Sequence, residues 1–265
     1  GASLTVDGEL VGMRSLLLDT GSSATLSKLG GVWVNDTALG LAGESWATWA
    51  CESDLVPACA SRGELRASGD ARGRYGLARL RMVGDATLEL TEGVTALGAA
   101  ELWVEDSATL TLPVLPTRQF RLLARDSLTV ATGAAITADG RGYVQNTRDA
   151  SCGAGDARWG GFHGGGRAGQ ACGDYEWPVL AGSGGIPSGG GGGAGGGSLL
   201  ILCNQSAASE VHINGTVSAS GAIGGGTGSY NYAGGAGAGG SILVVTSRMS
   251  GWGTVSADGG NARSG

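Results

Sequence analysis

The sequence predicts an all-β protein, folded as a right-handed parallel β-helix, or β-solenoid, with glycine-rich loops. Three observations predict this fold: 54 of the 265 residues are glycine, short apolar segments recur along the chain, and helical spacing of apolar residues is not sustained. β-Sandwich domains are the alternative architecture, because short and regularly spaced strands suit that fold as well.

Glycine content argues directly against helices. An interior glycine costs a helix up to about 1 kcal/mol relative to alanine, and the glycines of this chain are concentrated after residue 150. The remaining segments alternate apolar and polar residues over short stretches, which is the pattern of strands. We therefore expect strands and bends throughout.

Recurrence in the first half predicts stacked coils. An acidic residue follows an apolar run and precedes a second one at Asp85, Asp106 and Asp126, in nearly equal steps along the chain. A step of this length suits one coil of a solenoid, and a coil cannot bury its apolar side chains alone, so successive coils must stack. The aligned segments are LRMVGDATLEL (80–90), LWVEDSATLTL (102–112) and LLARDSLTV (122–130), with LLLDTGSSATLS (16–27) as a looser copy.

The second half repeats in a glycine-rich form. Ser198 and Ser241 begin two similar apolar runs. Each run is followed by a shorter strand in which Val and Ala are expected to face inward while Thr and Ser face outward. The short strands read GAAITADG (133–140), GTVSASG (215–221) and GTVSADG (253–259).

The run SLTVATGAAITADGRGY, with the later GGGAGGGSLLIL, GTVSASG, GGAGAGGSILVV and GTVSADGG, resembles the glycine-rich β-solenoid repeats of very large surface and extracellular proteins of bacteria, algae and protists. The resemblance covers residues 127–265 well, and it covers the first half only in the regular recurrence of its short apolar segments. It implies a parallel β-helix, an extracellular or cell-surface location, and a part in fibres, surface hairs, walls or adhesins. It carries no catalytic residues over to this chain.

The chain is expected to comprise three parts, and to be a segment of a longer protein. Residues 1–149 form solenoid coils with an excursion between Cys51 and Cys59, residues 150–197 form a glycine-rich insertion on the flank, and residues 198–265 form further coils that continue. The insertion fits a spacer, an ordered cap or glycine strands packed side by side. An ordered flank is favoured, because it has apolar anchors in Trp159, Phe162, Tyr175 and Trp177.

Cysteines and glycosylation sequons both indicate an exported protein. We interpret the pairs Cys51/Cys59 and Cys152/Cys172 as disulfides that each close a loop, with buried free thiols as the alternative. Cys203 then has no predicted partner. Sequons for N-glycosylation occur at Asn35, Asn204 and Asn214. The cysteine spacing fits no metal site, and no cofactor is expected.

Charge and hydropathy exclude two partner classes. The net charge is −6 and the basic residues are scattered, whereas nucleic-acid binding requires a basic patch. No apolar run approaches the ~20 residues that span a bilayer. The expected partners are neighbouring copies or domains of the same large protein, and glycans.

Two enzymatic interpretations compete with a structural, non-catalytic role. LLLDTGSS (16–23) is similar to the active-site signature of retroviral-type aspartic proteases, with Asp19 as the catalytic acid, but no second such motif occurs. A carbohydrate-cleaving β-helix could use the row Asp85, Asp106 and Asp126, although turns use aspartate as well. A carbohydrate-binding one could stack sugars on Trp33, Trp46, Trp49 and Trp103, although core packing or edge capping explains these residues as well. His163 and His212 are the only histidines. We predict no enzymatic activity.

Overall fold

The computed structural model describes residues 3–6, 15–18, 23–26, 32–33, 74–90, 94–149, 172–187, 191–203, 207–225 and 234–261. These residues are all-β: they contain strands, turns and extended segments, and every strand pair among them is parallel. No helix in the described part of the chain is long and apolar enough to cross a membrane. The cysteine excursion and residues 150–171 lie outside the described residues.

The strands form two parallel sheets between which the chain alternates. The seven-stranded sheet comprises, in spatial order, β1 (Ser3–Val6), β3 (Ser23–Leu26), β6 (Thr87–Leu90), β8 (Thr109–Thr111), β10 (Ala135–Thr137), β13 (Thr216–Ser218) and β16 (Thr254–Ser256). The nine-stranded sheet comprises β2 (Ser15–Leu18), β4 (Val32–Trp33), β5 (Arg74–Met82), β7 (Ala96–Val104), β9 (Phe120–Val130), β11 (Ser198–Cys203), β12 (Glu210–Ile213), β14 (Ser241–Thr246) and β15 (Arg248–Ser250).

We call one passage through the nine-stranded sheet and then the seven-stranded sheet a rung. The long strand β9 pairs with β11 along its first half and with β12 along its second half. One long strand in the middle rungs therefore corresponds to two shorter strands in the later rungs. The successive rungs are β5–β6, β7–β8, β9–β10, β11–β12–β13 and β14–β15–β16.

Register aligns the apolar side chains of successive rungs. In the nine-stranded sheet Leu80 pairs with Leu102, Leu102 with Leu128, and Leu128 with Val211. In the seven-stranded sheet the corresponding column is Leu88, Leu110, Ile136, Val217 and Val255. All of these except Val255 are buried, and they belong to one core cluster that both sheets share. Burying each Leu contributes about 1.5–3 kcal/mol.

The register confirms the alignment of the later copies and corrects one earlier copy. Ser198 pairs with Ser241 as the sequence predicts. The nearly equal steps of the first half are wrong at the third copy, because Leu102 pairs with Leu128, whereas Leu122 pairs with Leu97. The first half of β9 is an extension of the strand, which the local similarity of LLARDSLTV to the other segments concealed.

Tight corners join the two sheets in the middle rungs. The N–H groups of Ala86, Ala108 and Ala134 donate to the carbonyl groups of Val83, Glu105 and Ala131 across β-turns. Each turn has one residue with positive φ, namely Gly84, Asp106 and Gly133. The left-handed conformation of Asp106 is stabilised by its carboxylate, which accepts a hydrogen bond from the Gly84 N–H of the preceding rung at 3.0 Å.

Glycine-rich segments return the chain from the seven-stranded to the nine-stranded sheet. Their backbones hydrogen-bond to one another, and we call them together the glycine array. Residues 191–197 bond to four of the other segments, whereas a strand within a sheet has two neighbours. The array comprises residues 140–147, 181–186, 191–197, 219–225, 234–240 and 257–260.

Hydrogen bonds in the array recur every third residue. The N–H groups of Gly193 and Gly196 both donate to residues 234–240, and their carbonyl groups both accept from residues 181–186. Three residues per turn without internal hydrogen bonds is the geometry of polyproline II. Residues 181–186 and 191–197 of the insertion are therefore packed side by side with the other glycine segments. Tyr175 does not anchor it, because its side chain is 90% exposed.

Replacing Gly195 by alanine should lower the free energy of unfolding by about 1–3 kcal/mol, the usual cost of overpacking. A Cβ at this position would overlap the backbone of Gly182. The matched control is Gly191→Ala in the same segment, where the nearest atom to a Cβ is Gln145 Oε1 at 3.6 Å. Urea unfolding of both variants measures the difference, and equal effects would contradict close packing of the array.

Replacing Leu110 by alanine should cost about 2–5 kcal/mol, because a fully buried side chain is removed from the column that crosses the rungs. Thr111→Ala, its neighbour on the outer face of β8, should change the free energy of unfolding by no more than about 0.5 kcal/mol. Thermal or urea unfolding followed by circular dichroism is the measurement. A larger loss of unfolding free energy for Thr111→Ala than for Leu110→Ala would show that the inner and outer faces of β8 are assigned wrongly.

Candidate functional site

Polar side chains from two neighbouring rungs meet where β12 and β15 lie side by side. Glu210 pairs with Arg248 in register, and His212 pairs with Ser250. The alternation of β12 buries Val211 and Ile213 and leaves Glu210 and His212 on the outer face. We call Glu210, His212, Asn214, Ser250 and Trp252 the corner cluster.

A chain of hydrogen bonds runs through the corner cluster. His212 Nδ1 lies 2.8 Å from Ser250 Oγ, and the Ser250 hydroxyl donates to Glu210 Oε1 at 2.6 Å. Asn214 Nδ2 lies 2.8 Å from His212 Nε2. Asn214 Oδ1 accepts from the backbone N–H of Trp252 at 3.0 Å. Side chains of one rung are thus tied to both side chain and backbone of the next.

The hydrogen bonds determine the tautomer of neutral His212. Because Asn214 Oδ1 accepts from Trp252, the amide nitrogen of Asn214 is the group that faces His212. That nitrogen only donates, so Nε2 must accept and the proton resides on Nδ1. His212 therefore donates to Ser250, which in turn donates to Glu210.

This direction of donation differs from that of a nucleophilic serine. An activated serine gives its proton to an adjacent histidine base. Here the Ser250 hydroxyl donates to Glu210, while His212 donates to Ser250. The arrangement joins two rungs by side-chain hydrogen bonds, and it presents a carboxylate, an imidazole and an amide on the outer face.

Asn214 and Trp252 occupy the same corner position on successive rungs. Register pairs Thr216 with Thr254 and His212 with Ser250, so Asn214-Gly215 and Trp252-Gly253 are equivalent positions in successive corners. The Trp252 side chain is 98% exposed. Neighbouring parallel strands lie about 4.8 Å apart, so the two corner residues are close neighbours.

The predicted aspartate row is only partly assembled. Asp85 and Asp106 both lie in corners, where Asp106 accepts a backbone hydrogen bond. Asp126 lies inside β9, next to a register irregularity, and forms an ion pair with Arg125 at 2.7 Å. The hydrogen bond to Asp126 raises the pKa of Arg125. Asp126 is therefore not the third member of a row of corner residues.

Several predicted site residues lie outside the described residues: Asp19, Asn35, Cys51, Cys59, Cys152, His163 and Asn204. Cys172 is buried and disulfide-bonded, and its pairing with Cys152 stays a prediction. Asp19 stands between two described strands, β2 and β3, that pair in register with β5 and β6. Four residues separate the strands in both places, as the interpretation of LLLDTGSS as a rung expects.

Glu210, Ser250 and Trp252 are members of the corner cluster that the sequence reasoning missed. The signal was available, because GTVSASG (215–221) and GTVSADG (253–259) are copies of one short strand. Applying the offset between these copies to His212 and Asn214 leads directly to Ser250 and Trp252. Among the described residues, no three His, Cys, Asp or Glu side chains lie close enough together to hold a metal ion.

Cys203 is a buried free thiol at the end of β11. Its Sγ lies 3.6 Å from the carbonyl oxygen of Glu210. Burial raises the pKa of the Cys203 thiol to about 11. The thiolate, which is the reactive form, is therefore scarce at neutral pH.

Alkylation of Cys203 at pH 8 should be about 100-fold slower in the native protein than in urea, because a pKa of about 11 leaves about a hundredth of the thiolate that an ordinary cysteine has. Iodoacetamide labelling followed by mass spectrometry measures the rate. A Cys203→Ser variant identifies the labelled peptide by its absence. Equal native and unfolded rates would contradict burial of this thiol.

The chain matches no protein-family model, no curated protein and no solved structure.

Proposed function

We propose that this chain is a non-catalytic structural segment of a large secreted or cell-surface protein, folded as a right-handed parallel β-solenoid and working in an extracellular fibre, surface appendage, wall or adhesin assembly. The observation that carries the proposal is the register of the rungs. Strands of both sheets pair in parallel with the equivalent strands of the next rung. Such an arrangement extends by adding rungs, each buried against its neighbour.

The proposed partners are neighbouring domains or copies of the same large protein, because parallel rungs are stabilised by stacking on further rungs. Within the described residues the strands of the rung β14–β15–β16 pair on one side only. Met249, Trp252 and Val255 are exposed there, although Val211 and Val217, the equivalents of Met249 and Val255 in the preceding rung, are buried.

The corner cluster supports a structural role better than a catalytic one. Its hydrogen bonds connect β12 with β15 and Asn214 with the next corner. Each hydrogen-bonding side chain is engaged in holding the register of two rungs. The serine proton is directed to Glu210, which is the opposite of what a Ser–His nucleophile requires.

A carbohydrate-binding solenoid is the second candidate, and one observation favours it. Trp252 exposes 98% of its side chain next to the polar groups of the corner cluster. An exposed indole beside hydrogen-bonding groups suits the apolar face and hydroxyl groups of a sugar. The remote alternative, an aspartic protease with Asp19 as the catalytic acid, has no support in the described residues, because Asp19 lies outside them.

Cryo-electron imaging of the protein in its native material tests the structural proposal. We expect elongated rods with an axial repeat of about 4.8 Å per rung. Hydrolase assays on esters, peptides and polysaccharides should show no turnover, and Ser250→Ala is the matched control. Discrete compact particles, or turnover that this substitution abolishes, would overturn the proposal.

A further inference from the structure

We propose that Asn214 carries an N-linked glycan whose first sugar stacks on the indole ring of Trp252. The inference rests on the proposed function, because N-glycosylation requires an exported chain. Asn214-Gly215-Thr216 is a sequon, and Trp252 stands at the equivalent corner position of the next rung. The glycan would bridge the outer surface of two rungs.

Trp252 is 98% exposed at its corner, and its rung pairs on one side only within the described residues. The corner residues Asp106, Ser107 and Thr132 of the middle rungs are also exposed, although those rungs have neighbours on both sides. Corner residues are therefore accessible to solvent in these rungs as well. An indole in solvent has a large apolar face without a partner, and the apolar C–H face of a sugar is a suitable one.

Amide geometry directs the sugar toward Trp252. A glycosylated asparagine amide is planar and trans, like a peptide bond, so the attached sugar carbon lies on the same side of the C–N bond as the carbonyl oxygen. Asn214 Oδ1 faces the backbone N–H of Trp252 at 3.0 Å. The sugar therefore begins on the side of the amide that faces the tryptophan.

Glycosylation is compatible with the hydrogen bond to His212. In the transfer, Asn214 Nδ2 loses one proton to a base of the transferase and bonds to the anomeric carbon of a diphosphate-linked oligosaccharide. The carbon–oxygen bond to the diphosphate breaks, and the diphosphate leaves with the bonding electrons. One N–H remains on Nδ2, so this nitrogen keeps a donor after the transfer, and His212 Nε2 lies 2.8 Å from it in the unmodified side chain.

Glycopeptide mapping of the protein from its native material is the first test. We expect sugar at Asn214. An unmodified Asn214 in material glycosylated at Asn35 or Asn204 would overturn this inference and leave the proposed function standing. Bare asparagines at all three sequons would overturn the inference and also remove support for the exported location.

A double-mutant cycle in the full chain, secreted from a eukaryotic host, tests the stacking. Thr216→Ala removes the sequon and leaves the Asn214 side chain in place, and alanine suits the position because Ala135 occupies it in the adjacent strand. Trp252→Ala removes the indole and retains the backbone N–H that donates to Asn214.

With the glycan present, Trp252→Ala should lower Tm by about 2–4 °C, and in the Thr216→Ala background by less than about 1 °C. The matched control is Tyr175→Ala, an exposed aromatic distant in sequence from any sequon, whose effect should not depend on Thr216. Equal effects of Trp252→Ala in both backgrounds would overturn the stacking.

Discussion

Backbone hydrogen bonds between neighbouring rungs are the constraint on which the rest of the structure depends. In both sheets they run between parallel strands, so a residue meets its equivalent in the next rung and apolar columns form without further specification. The column from Leu80 through Leu102 and Leu128 to Val211 follows from this register alone. A slip by one residue would turn every such side chain to the outer face, which strongly disfavours other registers.

The glycine array extends the same principle from two neighbours to several. A segment such as 191–197 bonds to four others, so backbone approaches it from more directions than in a sheet. Side chains would occupy the space that these neighbours fill, as the overlap of a Cβ at Gly240 with the backbone of Gly197 illustrates. Glycine loses the most conformational entropy on ordering. The array offsets this cost through its hydrogen bonds and its attachment to the core strands that begin at Ser198 and Ser241.

The sequence predicted the all-β class and the register of the later rungs because identical runs there pair with one another. Thr216 and Thr254 lie in one such pair of runs and align as expected. The predicted register was wrong at β9, a strand of 11 residues with two apolar stretches. Only the second stretch pairs with the part of β7 that contains Leu102. The length of a strand depends on the strands that pair with it, and the apolar periodicity of the sequence carries no information about those partners. The corner cluster was missed for a related reason. Neither Glu210 nor Ser250 belongs to a recognisable motif in the sequence, and only the register between their two rungs brings them together.

Asp and Asn residues recur where the strands end, and the hydrogen bonds of their side chains explain why these residue types occur there. Asp106 accepts from the Gly84 N–H, Asp139 from the Ser220 N–H, and Asn214 from the Trp252 N–H, each in a neighbouring rung. At corners and strand ends the parallel ladder stops, and backbone donors there need another acceptor. A short side chain with an oxygen reaches one rung along the stack and satisfies them. Asp106, one of the acidic residues that first suggest a catalytic row, therefore has a sufficient cause in the geometry of stacking. Asn214 achieves the same contact with an amide that also has a nitrogen available for modification.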